Sequence, residues 1–177
     1  MFALLFALQS FAGAAELSGV NVPDTATVGG QDLVLNGLGL REKFFFDIYV
    51  GGLYLPSKTK DWRAAIEMDG AKRITMNFVY SEVSLEKLLE AYKEGLETNT
   101  YATNQGANFE KFFGWMETMK SGDSMVFDYV PGTGTTVTVK GQVKGTIADA
   151  DFMKALWAVY IGDHPPTNAL KSGMMKG

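Results

Sequence analysis

The sequence predicts an α+β domain, with a large, mainly antiparallel sheet and helices laid against it. Three observations predict it. Leu33–Leu55 is a long apolar, aromatic-rich run of β character. Thr135–Lys140 and Gln142–Ile147 are two β-prone segments joined around Lys140-Gly141, a hairpin signal. Strand-like and helix-like segments come in blocks, strands then helices then strands then helices, and do not alternate singly.

Taken in order, Met1–Leu8 is apolar and Gln9–Ala15 turns small, reading QSFAGAA. Ala12-Gly13-Ala14 and Gly13-Ala14-Ala15 both fit small-x-small cleavage before Glu16. Residues 1–15 therefore read as a secretory signal. No Lys or Arg precedes Arg41, so this signal is atypical or its charged end lies upstream. The competing reading is an ordinary buried helix or strand. A periplasmic or secreted protein is expected, with one domain over residues 16–177 and no integral membrane segment once the signal is removed.

Val20–Gly30 is a polar lead-in with two short β-prone pieces, closed by Gly29-Gly30. Gln31–Leu40 and Lys43–Leu55 read as extended. In the second, Phe44, Phe46, Ile48 and Val50 share one face, and Phe45, Asp47 and Tyr49 the other. Gly51-Gly52 is a place for a bulge or bend. Asp61–Ile66 reads as a short helix and Lys72–Tyr80 as a strand. Ser84 can cap Leu85–Leu96, Asn108 can cap Phe109–Met119, and Asp149 can cap Ala150–Ile161, each with an apolar stripe. Ser124–Val130 is a further strand. A final helix runs from about Thr167 to Gly173.

Composition removes many function classes. With 46% hydrophobic and 20% charged residues, the 177-residue chain can bury a core and is not a disordered tail. A net charge of −4 argues against nucleic acid and against adhesion to anionic lipid. The absence of cysteine excludes disulfides, a thiol nucleophile and a thiolate metal site. A single histidine, His164, in the loop before Pro165-Pro166, cannot build a His-rich metal centre. No metal or cofactor is expected. Gly37-Leu38-Gly39 and Gly132-Thr133-Gly134 are too short for a phosphate-binding fingerprint and read as turns or bulges. No Gly-x-Ser-x-Gly elbow exists, and Asp149/Asp151 suit a helix start.

One residue stands out chemically. Arg41 sits alone in the apolar run, and its guanidinium cannot shed its proton. It is turned to water, paired with a carboxylate such as Glu42 or Asp47, or held ready for an anionic or carbonyl oxygen.

The segment LVLNGLGLREKFFFDIYVGGLYLP, with its N-G-x-G-x-R core and G-x-Y-L ending, resembles the chalcone isomerase-like family. So do KRITMNFVY, SLEKLLEAYKEGL, KSGDSMVFDYVPGTGTTVTVKGQVKGTI and FMKALWAVYIGDHPP. The likeness spans nearly all of residues 16–177 and is nearest to bacterial members that carry a signal peptide. It implies an open-faced sandwich: a large antiparallel sheet covered on one face by helices, with a ligand cleft between. In the plant enzymes an arginine, helped by a tyrosine-ordered water, stabilises charge on a ketone oxygen during closure of a chalcone. Arg41 matches that arginine and is the candidate catalytic residue. The rest of that set is mostly missing. Tyr49 stands where the enzymes carry a strand threonine, and their helix tyrosine and asparagine fall near Leu85 and Tyr92. Fatty-acid-binding members grip a carboxylate with the arginine and a tyrosine, and Tyr54 falls where that tyrosine is expected.

Thirteen residues separate Arg41 from Tyr54, so a regular strand points them to opposite faces unless a bulge intervenes. Tyr49 shares the Arg41 face without help. The ligand-binding candidates are therefore Arg41, Tyr54, Tyr49 and Tyr92. Three readings remain open: an exported binder of a small amphipathic acid such as a fatty acid, an isomerase acting on an enone, and a scaffold for an unspecified protein partner.

Overall fold

The computed structural model describes residues 13–177, so most of the expected signal lies outside the described residues. β1 (Ala14–Leu17) and β2 (Val20–Pro23) form a small hairpin, with Ala14 opposite Pro23 and Ala15 opposite Val22. A cut before Glu16 would remove half of β1.

Among the described residues the main sheet has seven strands: β3 (Thr25–Val28), β4 (Gln31–Lys43), β5 (Phe46–Leu55), β6 (Lys72–Phe78), β9 (Ser124–Val130), β10 (Gly134–Val139) and β11 (Gln142–Ile147). Their spatial order is β11-β10-β9-β6-β5-β4-β3, and every pairing is antiparallel. A two-stranded piece, β7 (Glu82–Val83) with β8 (Met119–Lys120), lies apart. The expected hairpin at Lys140-Gly141 is present, with φ of 51° and 74°.

The helices are α1 (Trp62–Glu67), α2 (Leu85–Glu97), α3 (Gly106–Phe113), α4 (Ala150–Ile161) and α5 (Asn168–Met174). Ser84 caps α2 through Lys87 N, and Asp149 caps α4 through Asp151 N and Phe152 N. Asn108 does not cap α3. The helix begins two residues earlier, and the Asn108 amide instead donates to Gln105 and Asp149. Phe109, Phe112, Phe127, Phe152 and Trp157 fill the space between helices and sheet. Val22, Val28, Leu33, Leu35, Tyr54 and Ala71 form a separate small core on the other face.

Two details differ from expectation and set the site. The run read as one strand from Lys43 is broken by a two-residue turn at Phe44-Phe45, with φ of 50° and 68°. Both rings project into solvent, so Phe44, Phe46, Ile48 and Val50 do not form one buried face. The register shifts lie at Asn36 and beside Ile48; Gly51-Gly52 carries none.

The glycines of β4 and β5 serve a different end, and Gly37-Leu38-Gly39 is neither turn nor bulge. A Cβ on Gly37 would meet Gly173 O, and one on Gly39 would meet Leu170 O, both at contact-forbidding range. One on Gly51 would meet the Leu170 and Met174 side chains. These three positions seat α5 directly on the sheet. Asn36 locks it there: its Nδ2 donates to Met174 O at 2.8 Å, and its Oδ1 accepts from Thr59 N at 2.8 Å. The Asn-Gly-x-Gly part of the motif is thus architecture, and it leaves Arg41 as its one reactive member.

Candidate ligand site

Arg41 follows Gly37 and Gly39 at spacing two, so all three face the helices. Directly across the hairpin stands Tyr49, its register partner, with the guanidinium carbon 5.6 Å from the ring centroid. Residues opposite one another on antiparallel strands share a face, which brings this pair together. Tyr92 comes from the buried stripe of α2 and Tyr160 from the last turn of α4. Their hydroxyls lie 2.6 Å apart, and Tyr160 Oη reaches Met76 Sδ at 2.9 Å.

Arg41, Tyr49, Met76, Leu88, Ala91, Tyr92, Val159, Tyr160 and Pro166 enclose a gap of about 10 Å³. That is about the least room that holds one water. Outward from it, on the other side of Arg41, is a hollow of about 300 Å³. Phe44, Phe46, Ile48, Tyr80 and Val83 supply its apolar wall; Lys43, Lys87, Glu82 and Glu90 ring it. Its size meets the lower end of small-molecule pockets, ~300–1,000 Å³.

Among the described residues Arg41 takes part in no ion pair. Glu42 and Asp47 face each other across the hairpin and leave it alone. Its neighbours cannot neutralise it either. Burial pushes the Tyr49 phenol up to about 12, against the opposing pull of the Arg41 charge. Burial also raises Tyr92, opposed by its bond to Tyr160, and raises Tyr160 well above the ordinary phenol. All three stay protonated at neutral pH. The site therefore offers the fixed positive charge of Arg41, with Lys43 and Lys87 at the rim, and no base among its phenols.

Tyr54 is not brought here. It lies five residues beyond Tyr49 on an unbulged stretch of β5, so it points to the opposite face. Its hydroxyl donates to Pro23 O at 2.8 Å, within the small core under β1–β2. Leu85 is 37% exposed and does not line the hollow. Tyr160 and Met76, from the segments read simply as a helix over Ala150–Ile161 and a strand over Lys72–Tyr80, join the site; only the tertiary packing of α4 on β6 reveals them. His164 is exposed between α4 and α5, as expected of a loop. Among the described residues no cluster of His, Cys, Asp or Glu could hold a metal.

The large antiparallel sheet and its layer of helices define an open-faced α+β class. The chain belongs to the chalcone isomerase-like family, whose sequence profile matches residues 14–176. No curated protein matches it in sequence. In structure it resembles a fatty-acid binding protein of Arabidopsis thaliana, with a TM-score of 0.73 at 15% identity. The match covers 92% of this chain and 96% of the other. At that identity the likeness establishes the shared fold.

Proposed function

We propose that this protein binds a small amphipathic acid, such as a fatty acid, without transforming it. The observation that carries the reading is Arg41: a half-buried guanidinium, outside every ion pair among the described residues, on the wall of an apolar hollow. Such a charge favours an anion, and a carboxylate meets it with two charge-assisted hydrogen bonds. The acyl chain lies against Phe46, Ile48, Tyr80 and Val83, each buried methylene adding ~0.8 kcal/mol. The gap beside Tyr92, at about 10 Å³, is too small for an acyl chain, so a longer chain enters it only if Leu88 and Tyr92 of α2 give way. The fatty-acid binding protein of the same fold lends the reading support.

The test is native mass spectrometry of the purified protein, followed by titration with a fluorescent fatty acid. Co-purified or added acid should bind one to one. Arg41→Met should weaken it about 10- to 150-fold, the worth of a charged hydrogen bond, with stability retained because no ion pair is broken. A protein that takes up no acid refutes the proposal.

The isomerase reading keeps one observation: Arg41 could polarise an enone oxygen. Turnover of a 2′-hydroxychalcone, lost in Arg41→Ala, would favour it. Tyr49 in the place of the plant enzymes' strand threonine, with the rest of their catalytic set mostly missing around Arg41, argues for binding. Export is part of the proposal and rests on the small-residue run before Glu16; intact mass of the mature protein should place its first residue there.

A further inference from the structure

The hairpin joining β4 and β5 is built against its own sequence. Its two-residue turn needs left-handed backbone at both positions, which Asn-Gly supplies readily. Here Phe44 and Phe45 occupy them, at φ 50° and 68°. The rings gain little from the fold: Phe44 is 79% exposed, with only Lys43 Nζ 5.9 Å over its face, Phe45 is fully exposed, and Phe46, edge-on to Tyr80, is 55% exposed. Large apolar side chains held in a strained turn and pointed at solvent call for something outside the chain.

We propose that the Phe44–Phe46 tip inserts into the surface of a neutral phospholipid bilayer. Three features choose this occupant. The tip is a narrow protrusion exposing on the order of 450 Å², at ~200 Å² per whole phenylalanine. A stable protein interface needs about 800 Å² from each side. The shape suits penetration between headgroups, where aromatic rings settle. The charges nearby are mixed, with Arg41, Lys43 and Lys87 against Glu42, Asp47, Glu82 and Glu90, so no single-sign field selects anionic lipid. The tip also borders the Arg41 hollow, since Phe44 and Phe46 line both. Insertion would set the mouth of that hollow at the headgroup level. The proposal stands apart from the ligand reading, because partition needs no ligand.

The test uses the whole purified chain and vesicles of phosphatidylcholine, read by co-sedimentation. Wild type should partition, with no loss in 0.5 M salt. Phe45→Gly, outside the hollow's lining, should lower the partition coefficient at least fivefold, short of the tenfold or more that full burial of a phenylalanine carries. The double variant F44N/F45G should abolish partition, and it keeps the turn, so it should melt no lower than wild type. Wild type left in the supernatant, equal partition of all three proteins, or partition lost in salt would each overturn the proposal. So would a wild-type oligomer that the double variant dissolves without any vesicle binding, which would make the tip a protein contact.

Discussion

Gly39→Ala should unseat α5. The added Cβ would lie 2.0 Å from Leu170 O, 2.7 Å from its carbonyl carbon and 2.8 Å from its Cα. All three are backbone atoms, so no rotamer change relieves the clash. Ordinary C···O contacts run at ~3.3–3.6 Å, and the helix must retreat by about 1.3 Å. A gap of that size forfeits roughly half the contact energy of the side chains facing it. Leu170 and Met174 are fully buried, and full burial of each is worth about 1.5–3 kcal/mol. The Asn36–Met174 hydrogen bond, at 2.8 Å, stretches as well and gives up about 1 kcal/mol. The total is about 2.5–4 kcal/mol, which in urea, at a slope of ~1–3 kcal/mol per molar, shifts the midpoint by about 1–4 M. Gly51→Ala is the matched control: its Cβ would crowd Leu170 Cδ1 at 2.9 Å and Met174 Sδ at 3.1 Å, both movable ends, and would meet backbone, Gly39 O, at an ordinary 3.8 Å. It should cost no more than half as much. Gly106→Ala, with nothing within 4 Å at the start of α3, should stabilise by about 0.5 kcal/mol. A Gly39→Ala midpoint within experimental error of wild type, or a larger loss from Gly51→Ala, would refute the seating argument.

Tyr54→Phe should leave fatty-acid affinity unchanged and cost about 1 kcal/mol of stability through its lost bond to Pro23 O, as read by the same titration and by urea unfolding. A tenfold fall in affinity would place Tyr54 on the ligand face and contradict the register. Lys72 is buried with its Nζ on Ile66 O at 2.6 Å, and burial lowers its pKa from 10.5 to about 8. The unfolded chain therefore holds that proton more tightly, so stability should climb as pH rises from 8, by about 1.5 kcal/mol at pH 9.5. The buried phenols act oppositely: raised in the fold, they hold their protons while unfolded tyrosines ionise, and stability falls above pH 10. Urea midpoints from pH 7 to 9.5 should rise for wild type and stay flat for Lys72→Met; parallel curves would dismiss the lysine as the cause.

The parts of the fold written in local chemistry were legible in the sequence. Ser84 and Asp149 cap because a side-chain oxygen near a helix start needs only its own next residues. Lys140-Gly141 turns because glycine accepts left-handed backbone. The misses share one cause, distance along the chain. Gly37 and Gly39 looked like turn residues because the helix that needs them lies some 130 residues later. Phe44-Phe45 carries no turn signature, and its aromatics imitate a strand. That hidden turn, with the shift at Ile48, decides which tyrosine meets Arg41. Arg41, Tyr49 and Tyr92, singled out in the sequence, lie together in the structure with Tyr160, which was not singled out because a buried tyrosine in an apolar stripe looks the same whether it packs or lines a cleft.

The order of the sheet divides labour in a way that bears on how such proteins diversify. β3 to β6 form one meander and β9 to β11 another, sewn along a single seam where Ile74 faces Phe127 and Arg73 grips Asp128. Everything between Phe78 and Ser124, α2 included, is an excursion from that frame. The cation belongs to the frame; Leu88, Ala91, Tyr92, Lys87 and Glu90 belong to the excursion. Lengthening such a detour costs little, because closure entropy grows only with the logarithm of its length. Redrawing it would recut the hollow while Arg41 stayed in place.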